Sequence, residues 1–258
     1  MIFVVLGILL PFIGTTMGAC CVLFMKRELG ERMRNALSGF AGGVMVAASV
    51  WSLLIPAMNM TAEEISGKLS FLPSATGFLI GVIFLMLLDN VAACLHVNIE
   101  KNETTSDKST MLLLAVTLHN IPEGMAVGIV FAGMLADHAA ISLMGAFSVA
   151  IGIAIQNIPE GAIISMPICA AGYGRKRAFI YGILTGIVEP LGALLTIVLS
   201  ECLIPIMPYL LSFAAGAMMY VVVEELIPES ARGKYSNTGT FGFAVGFVLM
   251  MALDVALG

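Results

Sequence analysis

The chain has 258 residues, of which 59% are hydrophobic and 11% are charged, and its formal net charge is −5. Soluble domains contain about 25% charged residues, so this composition excludes an ordinary soluble globule, a disordered chain and a basic nucleic-acid-binding protein. Apolar stretches of about 20 residues are long enough to cross a bilayer as helices. We therefore predict an all-α polytopic membrane protein, for which the lipid bilayer is itself a partner.

Eight apolar segments follow one another along the chain, and each predicts one transmembrane helix. Their lengths favour helices over the strands of a membrane barrel, which are about 10 residues long. The first segment lacks a basic stretch before it and exceeds the core of a signal peptide, so we expect a retained span. We expect one transmembrane domain over residues 1–258. The segments cover approximately residues 2–25, 35–59, 71–95, 109–134, 139–171, 178–200, 202–228 and 238–257.

The basic residues are distributed unevenly between the predicted loops. Eleven of the 12 Lys and Arg residues fall in the odd-numbered loops, and only Lys68 falls in an even-numbered loop. Positive charge in short loops marks the cytoplasmic side of a membrane protein. We therefore predict that the odd-numbered loops lie in the cytoplasm and that both termini lie outside.

The sequence of the third span returns in the eighth. Residues 77–89 read GFLIGVIFLMLLD and residues 242–254 read GFAVGFVLMMALD, without a gap. The second and seventh spans both contain a stretch that begins with Leu-Ser and ends in Leu-Ile-Pro, and the first and sixth spans share a weaker Pro-x-x-Gly start with a slip of one residue. Because each span and its copy are five positions apart in the order of spans, an odd number, the copies have opposite orientations. We predict a 3+2+3 arrangement in which inverted repeats (about 2–95 and 178–257) flank a central helix pair (about 109–171), a plan typical of secondary transporters.

The central pair carries two related polar motifs, LHNIPEG at residues 118–124 and IQNIPEG at residues 155–161. Their carboxylates have no Lys or Arg within the spans, and buried carboxylates without basic partners are protonated or bind cations. Helical spacing places the polar side chains of each motif on one face. An N/O ligand set without thiolate suits Zn²⁺, Fe²⁺, Mn²⁺, Co²⁺ or Cd²⁺. The candidate metal ligands are His119, Asn120, Glu123, Gln156, Asn157, Glu160 and Glu189.

Other acidic residues lie nearer the ends of the spans. Glu224 and Glu225 fit a solvated membrane interface as well as they fit an ion pathway. The candidate pathway residues are Asp89, Glu224, Glu225 and Asp254.

The two motifs, followed by VEPLG at residues 188–192, resemble those of the ZIP (Zrt-, Irt-like protein) divalent-metal transporters, and most closely the prokaryotic branch that includes ZupT. The resemblance implies zinc uptake into the cytoplasm across the plasma membrane (the prokaryotic inner membrane). It also implies an elevator-like motion, in which spans one, four, five and six move against spans two, three, seven and eight. A homodimer is a further expectation.

The resemblance also implies a binuclear site at mid-membrane. The first ion would be held by His119, Glu123, Gln156 and Glu160. The second ion would be held by Asn120, Glu123, Asn157, Glu160 and Glu189. Some family members carry an aspartate at the position of Asn157, so the second position is less negative here. Asp254 would draw metal in, and the exit route would pass Asp89, Glu224 and Glu225.

Two other functions stay open at this stage. The same carboxylates are compatible with the selectivity region of a cation channel. A bound Zn²⁺ with an open coordination position is compatible with an intramembrane hydrolase. The sequence has no HExxH motif and no evident nucleophile beside a base. We therefore expect a protein that is not an enzyme, with no catalytic residues and no cofactor, and with the metal ion as its substrate.

Overall fold

The computed structural model describes residues 2–24, 29–64, 69–97, 105–136 and 141–257, and in these ranges all regular structure is helical. Eight of the helices are long and apolar enough to cross a membrane. The prediction of an all-α, multi-pass membrane protein with eight spans is therefore confirmed. The 3+2+3 arrangement, the inverted repeat and the outside location of the termini stay predictions.

The spanning helices are labelled α1 to α8 in chain order, and three of them contain a π-helical segment. The first four are α1 (Ile2–Phe24), α2 (Glu31–Ala47 and Ile55–Glu64, joined by π-helical Ala48–Leu54), α3 (Leu72–Val97) and α4 (Thr105–Leu135). The last four are α5 (Leu143–Ile168, followed by π-helical Cys169–Tyr173), α6 (Arg175–Gly186 and Val188–Val198), α7 (Met207–Val221 and Ile227–Ser230, joined by π-helical Val222–Leu226) and α8 (Ser236–Leu257).

Local chemistry sets the ends of α5. The hydroxyl of Ser142 accepts a 2.8 Å hydrogen bond from the backbone N–H of Gly145, which satisfies one of the donors left over in the first turn of a helix. At the other end, Gly172 and Gly174 have φ values of 96° and 78°. This left-handed backbone favours glycine, and it ends α5 before α6 begins at Arg175.

The eight helices form two bundles. In the first bundle, which consists of α1, α4, α5 and α6, helix α1 packs along α5 and α4 packs along α6. In the second bundle, which consists of α2, α3, α7 and α8, helix α2 packs along α8 and α3 packs along α7. Small residues allow these close approaches. For example, a Cβ atom on Gly39 would overlap the backbone of Gly239, and a Cβ atom on Gly81 would overlap the backbone of Phe213.

The contacts between the two bundles are of a different kind. Gly133 of α4 faces the sulfur of Met207 of α7, and Gly152 of α5 faces the sulfur of Met250 of α8. Among the described glycines, those that pack directly on the backbone of another helix do so within one bundle. At these two points the bundles meet through flexible methionine side chains, which adapt to different neighbours.

Candidate metal site

Helices α4, α5 and α6 bring most of the predicted ligands together inside the first bundle. Asn120, Glu123, Gln156, Asn157 and Glu189 are each at most 1% exposed. Glu160 is half-buried. The side chain of His119 lies outside the described residues, so its predicted role as a ligand stays a prediction.

Two glycines, one in each motif, bring the helices close enough to form the site. A Cβ atom on Gly124 would overlap the backbone of Glu189, and a Cβ atom on Gly161 would overlap the backbone of Thr15. Only glycine permits both approaches without displacement. The two motifs therefore supply polar side chains and also the contact surfaces that place α6 and α1 against them.

Glu123 and Gln156 form a direct link between α4 and α5. Gln156 Nε2 donates a 2.7 Å hydrogen bond to Glu123 Oε1. The amide orientation leaves Gln156 Oε1 as a buried oxygen that accepts no hydrogen bond from the described part of the chain. One side chain from each motif therefore contributes to a shared polar centre.

Glu189 forms the second polar contact of the site. Its Oε1 accepts hydrogen bonds from Thr15 Oγ1 at 2.7 Å and from Asn120 Nδ2 at 3.2 Å. Asn120 Nδ2 also donates to the carbonyl of Thr185 at 3.0 Å. The other oxygen of Glu189, Oε2, is buried and makes no hydrogen bond with a described residue. The two carboxylate oxygens of Glu189 are therefore in different environments.

Asn157 and Glu160 complete this side of the site. Both lie close enough to Glu189 to interact with it electrostatically. The amide of Asn157 interacts with the Glu189 carboxylate, although neither its Nδ2 nor its Oδ1 atom forms a hydrogen bond of regular geometry with a described residue. A fully buried amide without such a bond is unusual and calls for an explanation such as an ion or water in the site.

The site presents side-chain oxygens that lack donors from the described residues. These are Asn120 Oδ1, Gln156 Oε1, Asn157 Oδ1 and Glu189 Oε2. The sequence has no Lys or Arg in residues 109–174 or 178–231, so a cation that satisfies these oxygens must come from outside the spans. Among the described residues, no group of three His, Cys, Asp or Glu side chains is arranged to hold a metal ion. The described part of the site instead combines carboxylate oxygens with amide oxygens.

A cavity leads from this site to one end of the molecule. It has a volume of about 400 Å³, and its lining includes Glu160, Glu224, Glu225, Arg34 and Arg232. Glu160 belongs to the candidate site. Arg34 and Arg232 lie at one end of the molecule, which is here called the Arg34 end. The predicted pathway residues Glu224 and Glu225 thus share one cavity with a candidate ligand.

An ion-pair network lies at the Arg34 end of the cavity. Arg34 Nε is 2.7 Å from Glu229 Oε1, and Arg232 Nη1 is 2.9 Å from Glu229 Oε2. Glu229 also lines the cavity. Asp89, the remaining predicted residue on this side, accepts a hydrogen bond from the hydroxyl of Tyr220, which also lies near Glu224 and Glu225. The acidic residues predicted for one half of the pathway therefore lie around α7.

Asp254 lies towards the opposite end of the bundle, where two serines contact it. Ser52 Oγ donates to Asp254 Oδ1 at 2.7 Å, and Ser148 Oγ lies 3.4 Å from the same oxygen. From Ser148, α5 continues past Ala150 and Ile153, both fully buried, before it reaches Gln156. Buried apolar side chains therefore lie along α5 between its contact with Asp254 and the candidate site.

The partners that hold the acidic residues are hydroxyl side chains that the sequence does not single out. Thr15 contacts Glu189, and Ser52 contacts Asp254. The available signal was weak, because hydroxyl side chains are common in membrane helices, where they usually bond their own backbone. A threonine pair at residues 15–16 within an otherwise apolar first span was the only indication of Thr15.

Comparison with known proteins agrees with these features. A sequence model of the family described as ZIP Zinc transporter matches residues 100–254. In an alignment that is 327 positions long with its gaps, the chain is 33% identical to the zinc transporter ZIP11 of Homo sapiens, with 95% of this chain and 94% of that protein covered. It is 37% identical to the zinc transporter GufA of Myxococcus xanthus over 255 residues, with 97% of each covered. It is 34% identical to the zinc transporter ZIPB of Bordetella bronchiseptica over 260 residues, with 99% of this chain and 82% of that protein covered.

Proposed function

Because the chain belongs to the ZIP zinc transporter family, as the paired motifs predicted, we propose that it carries Zn²⁺ across a membrane through the buried site between α4, α5 and α6. One observation carries this proposal: the buried site has side-chain oxygens without donors from the described residues, and Glu160, which interacts with Glu189 of this site, also lines a cavity with further acidic residues. Such a site binds a cation and gives it a route out. The relatives are named as transporters and not as enzymes.

The proposed site holds two ions. Gln156 and Glu123, which are joined by a hydrogen bond, contribute to the first ion together with His119 and Glu160. Asn120, Asn157 and Glu189 hold the second ion, and Glu123 and Glu160 are shared between the two. Fe²⁺, Mn²⁺, Co²⁺ and Cd²⁺ compete with Zn²⁺ because they accept the same oxygen and nitrogen ligands.

The proposed direction of transport is from the Asp254 end to the Arg34 end. The distribution of basic residues predicts that the Arg34 end faces the cytoplasm, and the cavity joins Glu160 to that end. Apolar residues such as Ile153 fill the space towards Asp254. The structure is therefore proposed to be the inward-facing state of an uptake carrier in the plasma membrane.

The two bundles support an elevator-like mechanism. Close backbone packing within each bundle makes it a rigid unit, whereas Met207 and Met250 form adaptable contacts between the bundles. We propose that the first bundle carries the metal site past the second. This movement would bring the site from the side of the membrane where Asp254 lies to the side where the cavity lies. The homodimer stays a prediction.

Metal uptake by the purified full-length protein in liposomes tests the proposal. We expect saturable Zn²⁺ uptake, which decreases more than about 10-fold in Glu123→Gln and in Glu160→Gln because each loses a charged ligand. Glu31→Gln, the same change at the start of α2, is the control and should retain uptake. Uptake at the wild-type rate in Glu123→Gln would disprove the site assignment, and steady single-channel currents would favour a channel.

A further inference from the structure

The hydroxyl of Thr15 is a polar group inside α1 that no step of the proposed transport has used. Thr15 is 1% exposed. Its Oγ1 lies 3.3 Å from the carbonyl of Pro11 in its own helix and 2.7 Å from Glu189 Oε1. A threonine hydroxyl has one hydrogen to donate. The shorter contact, to a charged acceptor, is the stronger bond, so the hydrogen is directed at Glu189.

Packing holds this hydroxyl in place. A Cβ atom on Gly186 would lie 2.9 Å from Cβ and Cγ2 of Thr15, and a Cβ atom on Gly161 would overlap the carbonyl of Thr15. Helices α5 and α6 therefore enclose Thr15 from two sides. The contact with Gly186 restricts the Thr15 side chain, and the contact with Gly161 holds the Thr15 backbone.

The contact makes the two oxygens of Glu189 unequal. Oε1 accepts from both Thr15 and Asn120. Oε2 is buried and accepts no hydrogen bond of regular geometry from the described residues, although the amide of Asn157 also interacts with the Glu189 carboxylate. With the lone pairs of Oε1 engaged by two fixed donors, Glu189 has only Oε2 to offer to a metal ion.

The number of oxygens that a carboxylate contributes bears on which ion fits. Zn²⁺ is small and is usually four-coordinate in proteins, so it is well served by one oxygen from each carboxylate. Larger divalent ions take six to eight ligands, and they often bind both oxygens of a carboxylate. Cd²⁺, which is close to Ca²⁺ in size, gains more than Zn²⁺ from a second oxygen.

We propose that Thr15 is a positioning residue that restricts Glu189 to coordination through one oxygen and thereby favours Zn²⁺ over larger divalent ions such as Cd²⁺. The proposal rests on the proposed function, in which Glu189 is a metal ligand. Thr15 itself does not touch the ion. It acts through the hydrogen bond that occupies Glu189 Oε1.

The test is the ratio of Cd²⁺ to Zn²⁺ uptake by the full-length protein in liposomes that contain both ions. Thr15→Val has nearly the same shape but lacks the donor, so we expect the ratio to rise about 10-fold, the scale of one hydrogen bond to a charged group. Thr15→Ser retains the donor and should stay within about twofold of the wild type. Thr196→Val is the matched control, because the hydroxyl of this buried α6 threonine donates to the carbonyl of Gly192 in its own helix. Its ratio should not change.

Several outcomes would overturn the proposal. One is an unchanged ratio in a Thr15→Val protein that still transports Zn²⁺, and another is an equal loss of both ions. A similar shift in Thr15→Val and Thr15→Ser would assign the effect to packing. If Thr15→Val does not fold, Thr15→Ala and Thr15→Ser give the same comparison, because they differ only in the hydroxyl. An absence of Zn²⁺ uptake by the wild type and Thr196→Val would instead refute the proposed function.

Discussion

Thr15 and Glu189 are separated by 174 positions in the sequence, but a 2.7 Å hydrogen bond joins their side chains. Thr15 lies on α1 and Glu189 lies on α6, the helices that begin the two predicted repeats. Gly161 packs on the backbone of Thr15, and Gly124 packs on the backbone of Glu189. Each motif of the central pair therefore contacts the first helix of one predicted repeat, and the site forms where these contacts meet.

The two glycines should tolerate no added side chain. Gly124→Ala and Gly161→Ala each place a methyl group against a backbone that cannot yield without moving a helix. We expect each to lower stability by about 1–3 kcal/mol and to reduce Zn²⁺ uptake, as measured by thermal unfolding in detergent and by liposome flux. Gly30→Ala is the control, because no atom lies within 4 Å of the new Cβ and φ is −63°. Normal stability and flux in Gly124→Ala would contradict the packing described here.

Asn157→Asp should strengthen the second metal position. The amide is fully buried beside the Glu189 carboxylate and forms no hydrogen bond of regular geometry with a described residue, so the change places a new negative charge beside the proposed ion. We expect Zn²⁺ affinity at this position to rise at least about 10-fold. Elemental analysis and calorimetric titration would measure the number of bound ions and their affinity.

The control for this change is Asn90→Asp. Asn90 is an exposed residue of α3 whose amide donates to the carbonyl of Met86. The same added charge at this position should not alter zinc binding. Equal stoichiometry and affinity in Asn157→Asp and Asn90→Asp would show that Asn157 lies outside the metal site.

Asp254 should affect the capture of metal more than the maximal rate. It lies at the opposite end from the Arg34 cavity, where Ser52 donates to its Oδ1. Asp254→Asn removes a charge that attracts cations, so we expect half-maximal uptake to need a higher Zn²⁺ concentration. Ser52→Ala should have a smaller effect in the same direction. Ser230→Ala is the control, because its hydroxyl bonds within α7. A lower maximal rate with unchanged half-saturation would contradict this role.

Glu229 should matter more for metal exit than for stability. Its partner Arg34 has a side chain that is 38% exposed, and ion pairs of this kind contribute about 0–1 kcal/mol. Glu229→Gln leaves Arg34 and Arg232 without their counter-charge in the lining of the cavity. We expect slower Zn²⁺ flux, which high salt restores by screening the positive charge.

A second substitution distinguishes this effect from damage to the fold. Removing the positive charge as well, in Arg34→Gln/Glu229→Gln, should recover much of the flux that Glu229→Gln loses. Flux measured at low and high ionic strength would give both comparisons. A defect in Glu229→Gln that neither salt nor the second substitution relieves would refute an electrostatic cause.

The sequence by itself determined the eight spans and most of the candidate ligands. Apolar length identifies a membrane helix because every backbone group in lipid must be hydrogen-bonded within the segment. The spacing within each motif also predicted that Asn120 and Glu123, and separately Gln156, Asn157 and Glu160, lie on one face of a helix. These inferences concern one helix at a time, and the helical period is sufficient for them.

Only the tertiary structure decided which side chains from different helices meet. Thr15 meets Glu189 and Ser52 meets Asp254 because glycine contacts and bundle packing bring distant segments together. The period of a helix states which face a residue occupies but not which helix that face will contact. For the same reason, the cavity that joins Glu160 to Glu224 and Glu225 depends on how α2, α4, α5 and α7 are arranged around it, which no pattern within one helix encodes.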